Sequence, residues 1–415
     1  MKSIIRELTN RTYFSLRSQG ISMMPVLYPD DIIYYKKLIS RYNVYDIVLI
    51  KKVNNYLTHR IIYKNNGAYI TKGDNNTKSD GKIYPRQIIA KVTGVKRNNN
   101  IITPENLYLL QSTLYFQEIV KVKKAFEREE IDFVFLKGLP HHLFYEKTNP
   151  SRIYYDCDIL VDRTRIQQVR KILESVDYKQ IDNLLSNKIV RHSDEKSQIS
   201  YYKLINNFPI VFDIHLEAVI SIVHLDNMDV LYPLKLIDKF TVECLNNKKN
   251  IIIQGFQFPI LTTPYLIIYL ALHFFHHNFQ GAFRLEFLDK VTRRSRVNWK
   301  KELEIIKQYK LQNFVYPAFL ILNKYYHTPI RNKFLKIIQP FNPLTRKFVY
   351  QIIKTVNIFD DEPRIQAGIT RFKNLFFLSP NPIWKRLLVF INPQVVYSVF
   401  WVFRQKLFSF FSDRK

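Results

Sequence analysis

The chain has 415 residues, which predicts two or three domains, and 47% of them are hydrophobic, enough to build real cores. Its 63 basic and 35 acidic residues leave a formal net charge of +28. This excess of positive charge predicts polyanionic partners, but a compositional bias of the whole sequence explains it equally well. With only Cys157 and Cys244, a disulfide framework or a cysteine zinc site is excluded. Charged residues interrupt the apolar start, so we expect no signal peptide and a cytoplasmic location, with or without membrane association.

Residues 1–97 predict a small all-β unit, because short β-type runs alternate with turns between residues 20 and 95. This unit contains Ser22 and His59. A serine hydroxyl becomes a useful nucleophile only when a base takes its proton, and imidazole titrates close to neutral pH. Because a serine and a histidine in a β unit are usually structural, the pair needs further support.

Four motifs in this unit, in this order, resemble the signal peptidase/LexA-like serine peptidase superfamily. They are Gly20-Ile-Ser22-Met-Met-Pro25, Tyr45-Asp-Ile-Val48, His59-Arg60 and Gly73-Asp-Asn-Asn76 with a following Asp80. The resemblance implies that Ser22 is the nucleophile, His59 the general base and Asp80 the supporting acid, with Asp74 as the alternative acid. It is closest to the archaeal and endoplasmic-reticulum type, since bacterial signal peptidases carry lysine at the position of His59.

Two departures from that superfamily leave the role of the β unit open. Tyr45 replaces the usual glycine of the second motif, and no transmembrane anchor precedes Ser22. Cleavage of secretory pre-proteins is therefore not the expected activity. A processing or autoproteolytic activity and an inactive module both remain as alternatives.

Residues 98–130 predict a polar linker followed by a helix. Thr103 is a suitable N-cap and Pro104 suits the first helical position. Apolar residues then recur at spacings of three and four through residue 126, which predicts an amphipathic helix over 105–129 whose role is packing.

Residues 131–145 predict a strand, a glycine turn and a helix. Backbone N–H groups and the helix dipole at such a turn favour an anion, so Lys137 and Gly138 are candidates for binding phosphate. A lysine beside the turn could neutralise a triphosphate as a point charge. A single Lys-Gly pair is a weak motif on its own.

Two acidic residues, separated by one residue, lie at the start of the next apolar run. Because side chains alternate along a strand, Asp156 and Asp158 are expected to point the same way. Mg²⁺ prefers oxygen ligands and commonly takes one or two carboxylates together with substrate phosphates. For a lone Asp-x-Asp, solvated acids would be the simpler interpretation. A later strand, however, carries Asp213, His215 and Glu217 on one face.

This part of the chain resembles the branch of the nucleotidyltransferase superfamily described as uncharacterised nucleotidyltransferases, over residues 131–300. The shared pattern comprises Leu136-Lys137-Gly138, Arg152, Asp156-Cys-Asp158-Ile-Leu-Val161 and Asp213-Ile-His215. The resemblance implies that Asp156, Asp158 and Asp213 hold Mg²⁺ and that Asp213 also serves as the base for the acceptor. It assigns binding of a nucleoside triphosphate to Lys137, Gly138 and Arg152. Leu139 stands where classical members have serine.

Residues 301–415 predict a basic helical C-terminal region. Before it, the apolar helix 265–275 is too short for a membrane span and predicts a buried core helix. His273 and His277 are one turn apart but lack further ligands nearby for a metal. Residues 383–411 are apolar, interrupted by Pro393 and flanked by basic residues, so peripheral contact with an anionic membrane competes with docking onto the protein.

The expected fold is therefore multidomain: a small all-β peptidase-like unit, then an α+β nucleotidyltransferase-like domain with a helical extension. The expected function is a Mg²⁺-dependent nucleotidyltransferase fused to a serine endopeptidase of the signal peptidase type. Two alternatives stay open, namely a nucleotidyltransferase whose β unit only binds a peptide or partner, and a non-catalytic scaffold at a membrane surface or on nucleic acid. The expected partners are a nucleoside triphosphate and an acceptor that is a peptide, protein or small molecule, with nucleic acid less favoured.

Overall fold

The computed structural model describes residues 11–37, 42–53, 55–65, 67–181, 197–206, 208–218 and 228–393. Within these residues the chain forms an antiparallel β unit, followed by an α+β region whose C-terminal part is helical. The expectation of an all-β unit preceding an α+β domain is confirmed at this level.

The first sheet is antiparallel throughout, and its strands follow the order β1-β2-β7-β3-β4-β5-β6, with β8 beside β7. Alternation along β2 buries Ile33 and Tyr35 and leaves their neighbours partly exposed, as expected for a sheet with one covered face. The strands are β1 (Tyr13–Arg17), β2 (Ile32–Lys36), β3 (Ile47–Lys52), β4 (Asn55–Asn65), β5 (Ala68–Lys72), β6 (Lys82–Ile83), β7 (Ile88–Arg97) and β8 (Asn100–Ile102).

The second sheet is mixed, in the order β11-β12-β13-β10-β9-β15-β14. Strand β10 pairs in parallel with β13 and antiparallel with β9, and all five of its residues are buried. This central position explains why β10 reads as a continuous apolar run apart from Asp158. The strands are β9 (Phe133–Lys137), β10 (Cys157–Val161), β11 (Lys179–Gln180), β12 (Gln198–Ile205), β13 (Phe208–His215), β14 (Lys248–Ile253) and β15 (Phe256–Leu261).

The helices pack around the second sheet and share one large hydrophobic core with it. The first of them begins as predicted, because the Thr103 side chain accepts a hydrogen bond from the backbone of Asn106 at 3.1 Å. The helices are α1 (Pro104–Arg128), α2 (Leu139–Glu146), α3 (Ile166–Ser175), α4 (Leu234–Asn246), α5 (Thr263–His276), α6 (Ala282–Arg294), α7 (Trp299–Gln308), α8 (Gln312–Tyr326), α9 (Asn332–Ile338), α10 (Pro343–Thr355), α11 (Arg364–Leu378) and α12 (Ile383–Leu387).

Helix α5 is buried almost throughout, which confirms the prediction of a core helix. In the part of the chain that the structure describes, no helix combines the length and apolar character needed to cross a membrane.

The β unit and the α+β region are joined by polar contacts. Arg60 Nη1 donates to Tyr108 Oη at 2.6 Å, and Tyr45 Oη donates to Glu286 Oε2 at 2.5 Å. The backbone N–H of Ser79 donates to Asp360 Oδ1 at 2.8 Å. The β unit is thus held against α1, α6 and the segment before α11.

The apolar C-terminal segment is only partly described. Helix α12 continues into a short 3₁₀ turn ending at Ile391, and the Trp384 and Ile391 side chains remain largely exposed. Residues 394–415, which carry most of the predicted membrane-contacting segment 383–411, lie outside the described residues.

Candidate functional site

Three carboxylates meet at the edge of the second sheet. Oxygen atoms of Asp156, Asp158 and Asp213 all lie within 4.8 Å of one another. Asp158 on β10 is directly opposite Asp213 on the parallel strand β13, and Asp156 immediately precedes β10. The pairing of two strands that are distant in sequence therefore assembles the predicted set.

Neighbouring side chains hold these carboxylates in place. His215 Nε2 lies 2.7 Å from Asp158 Oδ1, and Ser200 Oγ donates to Asp213 Oδ1 at 2.5 Å. Lys137, opposite Asp158 on β9, places its ammonium 2.5 Å from Asp158 Oδ2 and 2.9 Å from Asp156 Oδ2. The lysine thus bridges two of the three acids.

The electrostatics separate the two acids on the paired strands. Burial alone would raise the pKa of Asp158, but the ammonium of Lys137 and the hydrogen bond from His215 outweigh it and lower that pKa to about 2. Burial and the charge of Asp158 raise the pKa of Asp213. Two acids whose surroundings shift their pKa values in opposite directions are suited to different roles.

The donor set fits a hard divalent cation. Carboxylate oxygens are the ligands that Mg²⁺ prefers, and one or two of them with substrate phosphates make a typical site. Asp158 is only 2% exposed, so its charge needs a cation close by. The ammonium of Lys137 already lies against Asp156 and Asp158, which shows that a positive charge is accommodated there.

The predicted phosphate-binding residues lie beside this cluster. Gly138 precedes α2 with φ +113°, and a Cβ at this position would be 3.4 Å from Cys157 Cα, so both conformation and close approach favour glycine. Arg152 Nη2 lies 2.9 Å from His142 Nε2, and its guanidinium lies over the Tyr154 ring.

Two cavities flank the carboxylates. The interdomain cavity, of about 390 Å³, is lined by Tyr45, Arg60, Ile62, Asp74, Lys137, Gly138, His142, Arg152, Ile153, Tyr154, Tyr155, Asp156, Leu270, His273, His277, Phe283, Arg284 and Phe287. The acidic cavity, of about 180 Å³, is lined by Lys137, Asp156, Asp158, Ser197, Gln198, Asp213, His215, Glu217, Ala218, Tyr269, Leu272, His273, His276 and His277.

The sequence offers no reason to assign a binding role to several of these residues. Arg284 lies on α6, and nothing in its sequence spacing distinguishes it from surface arginines. His273 and His277 line both cavities rather than forming a metal cluster among the described residues. Burial lowers the pKa of both imidazoles well below the usual value, so they are neutral at physiological pH.

A second polar centre lies in the β unit. His59 Nε2 is 3.0 Å from Ser22 Oγ, and His59 Nδ1 is 2.7 Å from Asp80 Oδ2. The structure distinguishes the two candidate acids: Asp80 contacts the histidine, whereas Asp74 accepts two hydrogen bonds from Arg60, at 2.7 and 2.6 Å. The predicted order of serine, histidine and acid is thus realised as a hydrogen-bonded chain.

The loop after β5 positions the serine. The Asn75 backbone N–H donates to the Ser22 carbonyl at 2.8 Å, and a Cβ on Gly73 would be 2.6 Å from the same oxygen. Only glycine permits this approach. Burial alone would raise the pKa of Asp80, but hydrogen bonds from His59 and Thr71 outweigh it and lower that pKa.

A further cavity of about 390 Å³ opens beside Ser22 and His59. Its walls are mostly apolar and come from β1, β2, β3, β4 and the loop around the serine. The lining residues are Leu16, Arg17, Ser18, Gln19, Gly20, Ser22, Met23, Leu27, Ile33, Tyr35, Leu49, Tyr56, Leu57, Thr58 and His59.

Comparison with known protein families identifies the α+β region. Residues 105–327, more than half of the chain, match the model of the family described as uncharacterised nucleotidyltransferase. The chain belongs to this family. The match includes all of Lys137, Gly138, Arg152, Asp156, Asp158 and Asp213, and it extends beyond residues 131–300 at both ends. No curated protein matches the chain. The family match does not include the β unit, so the peptidase resemblance has no support from it.

Proposed function

We propose that this uncharacterised nucleotidyltransferase family member transfers a nucleotidyl group from a nucleoside triphosphate to an acceptor in a Mg²⁺-dependent reaction. The observation that carries the proposal is the convergence of Asp156, Asp158 and Asp213 on one point beside Lys137. Family membership supports transfer as the type of reaction.

Asp156, Asp158 and Asp213 would hold the metal, which when bound would neutralise charge on the attacking and leaving oxygens. His215 keeps Asp158 oriented through its 2.7 Å contact, and Ser200 does the same for Asp213. Asp213 would also take the proton of an acceptor hydroxyl or amine. In-line attack on the α-phosphate would then release pyrophosphate.

The test is incubation with Mg²⁺, labelled nucleoside triphosphates and candidate acceptors, including peptides, proteins and small molecules. We expect label transfer by wild type and a loss of at least 100-fold in Asp156→Asn. Asp177→Asn is the matched control, because Asp177 lies on the surface with an 80% exposed side chain and a conformation that asparagine tolerates. Equal transfer by Asp156→Asn and wild type would contradict the proposal.

A second activity, serine peptidase cleavage, is favoured by the contacts of His59 with Ser22 and Asp80. In this proposal His59 takes the Ser22 proton at Nε2, while Asp80 holds the imidazole through Nδ1 and stabilises the charge that develops. The adjacent apolar cavity would receive the substrate side chains.

Cleavage of peptides with small residues at the scissile site tests this second proposal. We expect wild type to cleave and Ser22→Ala to be inactive, while Ser15→Ala, an exposed serine on β1, behaves like wild type. Peptide binding without cleavage would indicate that the β unit is only a binding module. Equal cleavage by Ser22→Ala and wild type would refute the assignment of the nucleophile.

A further inference from the structure

We infer that the interdomain cavity binds the phosphates of the donor nucleotide through Arg284 and Arg152, and that the β unit forms the wall against the nucleoside. This inference rests on the proposed nucleotidyl transfer, but it concerns where the donor binds. It gives the β unit a part in the transferase site that is independent of any peptidase activity.

The charges of the two cavities differ in sign. Four cationic side chains line the interdomain cavity, against two acidic ones, Asp74 and Asp156. The acidic cavity has four carboxylates and a single cationic side chain, Lys137. Before a metal binds, a polyphosphate is attracted to the first and repelled by the second, so we expect the donor phosphates in the interdomain cavity and the acceptor on the other side of Asp156. The cationic residues of the interdomain cavity are Arg60, Lys137, Arg152 and Arg284.

Arg284 lines this cavity and forms no direct ion pair among the described residues, while the charges of Asp361 and Asp156 attract it from farther away. Its described hydrogen bond is a long one, 3.5 Å from Nη1 to the Gln280 carbonyl, and its buried Nε has none. Burial lowers its pKa to about 10, so the guanidinium still carries its charge at neutral pH. Because its buried Nε–H has no acceptor in the protein, an anionic ligand would be favoured here.

Arg152 lines the same cavity, and its described polar contact is with a neutral ring, His142 Nε2 at 2.9 Å. The two guanidinium groups lie over the Phe283 ring, at 5.2 Å for Arg152 and 4.4 Å for Arg284. The aromatic ring therefore holds two planar, five-donor groups near each other. One guanidinium group can donate two parallel hydrogen bonds to the oxygens of one phosphate. Two neighbouring guanidinium groups are therefore suited to two successive phosphates of a triphosphate.

The β unit contributes Tyr45, Arg60, Ile62 and Asp74 to the wall. Arg60 is saturated by Asp74, Tyr108 and the Tyr45 carbonyl, so it shapes this wall and leaves anion binding to Arg152 and Arg284. Ile62 presents an apolar surface to the cavity, as the half-exposed ring of Tyr155 does from the α+β region. Such surfaces suit a flat heterocycle better than a phosphate.

The test is calorimetric titration of the full chain with tripolyphosphate and with each of the four ribonucleoside triphosphates. We expect Arg284→Gln to weaken binding of tripolyphosphate and of the preferred nucleotide at least tenfold. Arg294→Gln is the matched control, since Arg294 is exposed on the same helix. Equal affinities of Arg284→Gln and Arg294→Gln would overturn the phosphate assignment.

A second variant tests the contribution of the β unit. Ile62→Trp fills the cavity from the first sheet, so we expect at least tenfold weaker nucleotide binding with unchanged tripolyphosphate binding. Ile101→Trp, at a 67% exposed position on β8, should bind both as wild type does. Wild-type nucleotide affinity in Ile62→Trp would overturn the claim that the β unit forms part of the nucleotide site. If Arg284→Gln fails to fold, the result for Ile62→Trp alone decides whether the nucleotide binds in this cavity.

The transfer assay separates this inference from the proposed function. If no acceptor is labelled but binding depends on Arg284 and Ile62, the transferase proposal fails and the binding site stands. If transfer depends on Asp156 while Arg284→Gln transfers normally at limiting nucleotide, the transferase proposal stands and this inference fails.

Discussion

Asp158 and Asp213 face each other across the parallel pair β10–β13, and this one register produces two carboxylates of different character. Asp158 is fixed by Lys137 and His215 and stays ionised, whereas Asp213, close to that charge, has a raised pKa. The two carboxylates therefore differ in how readily they take up a proton.

The contact between His215 and Asp158 predicts an effect on metal binding. Replacing His215 with asparagine removes the group that orients Asp158, so we expect affinity for Mn²⁺ to fall about 10- to 100-fold, as measured by titration with electron paramagnetic resonance. His327→Asn serves as the control, because His327 is exposed and lines neither of the two cavities beside the carboxylates. Indistinguishable affinities of the two variants would show that the contact is not needed for the metal site.

Asp80 predicts an acid-dependent loss of stability. The pKa of Asp80 is lower in the folded protein than in the unfolded chain. Its ionised carboxylate therefore stabilises the fold fully above the ordinary aspartate pKa of about 3.9, and this stabilisation is lost as the pH falls through the pKa of the folded protein. We expect Asp80→Asn to lower the free energy of unfolding at pH 7 by about 1–3 kcal/mol, with the difference vanishing in acid. Hydrogen exchange of residues 55–72 measures this. The exposed Asp30→Asn is the control, and a difference that does not shrink as the pH falls below 4 would contradict the prediction.

Glu302 predicts the opposite pH dependence. Its carboxylate is fully buried with no described hydrogen-bond partner, and burial raises its pKa well above the usual value. Above the ordinary glutamate pKa of about 4.3 the folded form retains a proton that the unfolded form loses, so stability falls by about 1.4 kcal/mol per pH unit until the folded pKa is reached. Glu302→Gln should therefore gain stability relative to wild type between pH 4 and 7 in denaturant titrations.

The exposed neighbour Glu304 supplies the control for this measurement, as Glu304→Gln should follow wild type at every pH. A constant difference between Glu302→Gln and wild type across this pH range would show that Glu302 does not titrate differently in the two states.

The exposed apolar side chains near the C-terminal end predict contact with an anionic membrane. Trp384 and Ile391 are 65% and 74% exposed, next to basic Lys385. We expect the double replacement by serine to reduce cosedimentation with phosphatidylserine vesicles several-fold, because each exposed apolar group adds to interfacial binding. Val53→Ser, at a 97% exposed position in the β unit, is the control. Unchanged cosedimentation of the double variant would rule out these side chains as the contact.

Much of the local structure could be predicted from sequence, because local preferences specify it. Thr103 and Pro104 predict the start of α1, and alternation or apolar continuity predicts β9, β10 and β13 to within a few residues. The order of the motifs also predicted both polar centres, since residue type and sequence order are properties of the chain itself.

Spatial choices between similar residues could not be predicted. Asp74 and Asp80 are both acids after β5, yet only the path of that loop brings Asp80 to His59 and Asp74 to Arg60. Arg284 gives a second example. Whether its guanidinium pairs with an acid or faces a cavity depends on contacts between segments that are far apart in sequence.

The sequence by itself therefore determined which chemical groups are present, which local elements carry them and which family the α+β region belongs to. Only the tertiary structure decided that the β unit shares a cavity with Asp156, and that the charged residues lining this cavity are mostly cations and those lining the neighbouring one mostly acids. The reason is that strand register and packing between the units are set by long-range burial and hydrogen bonding, which no local pattern encodes.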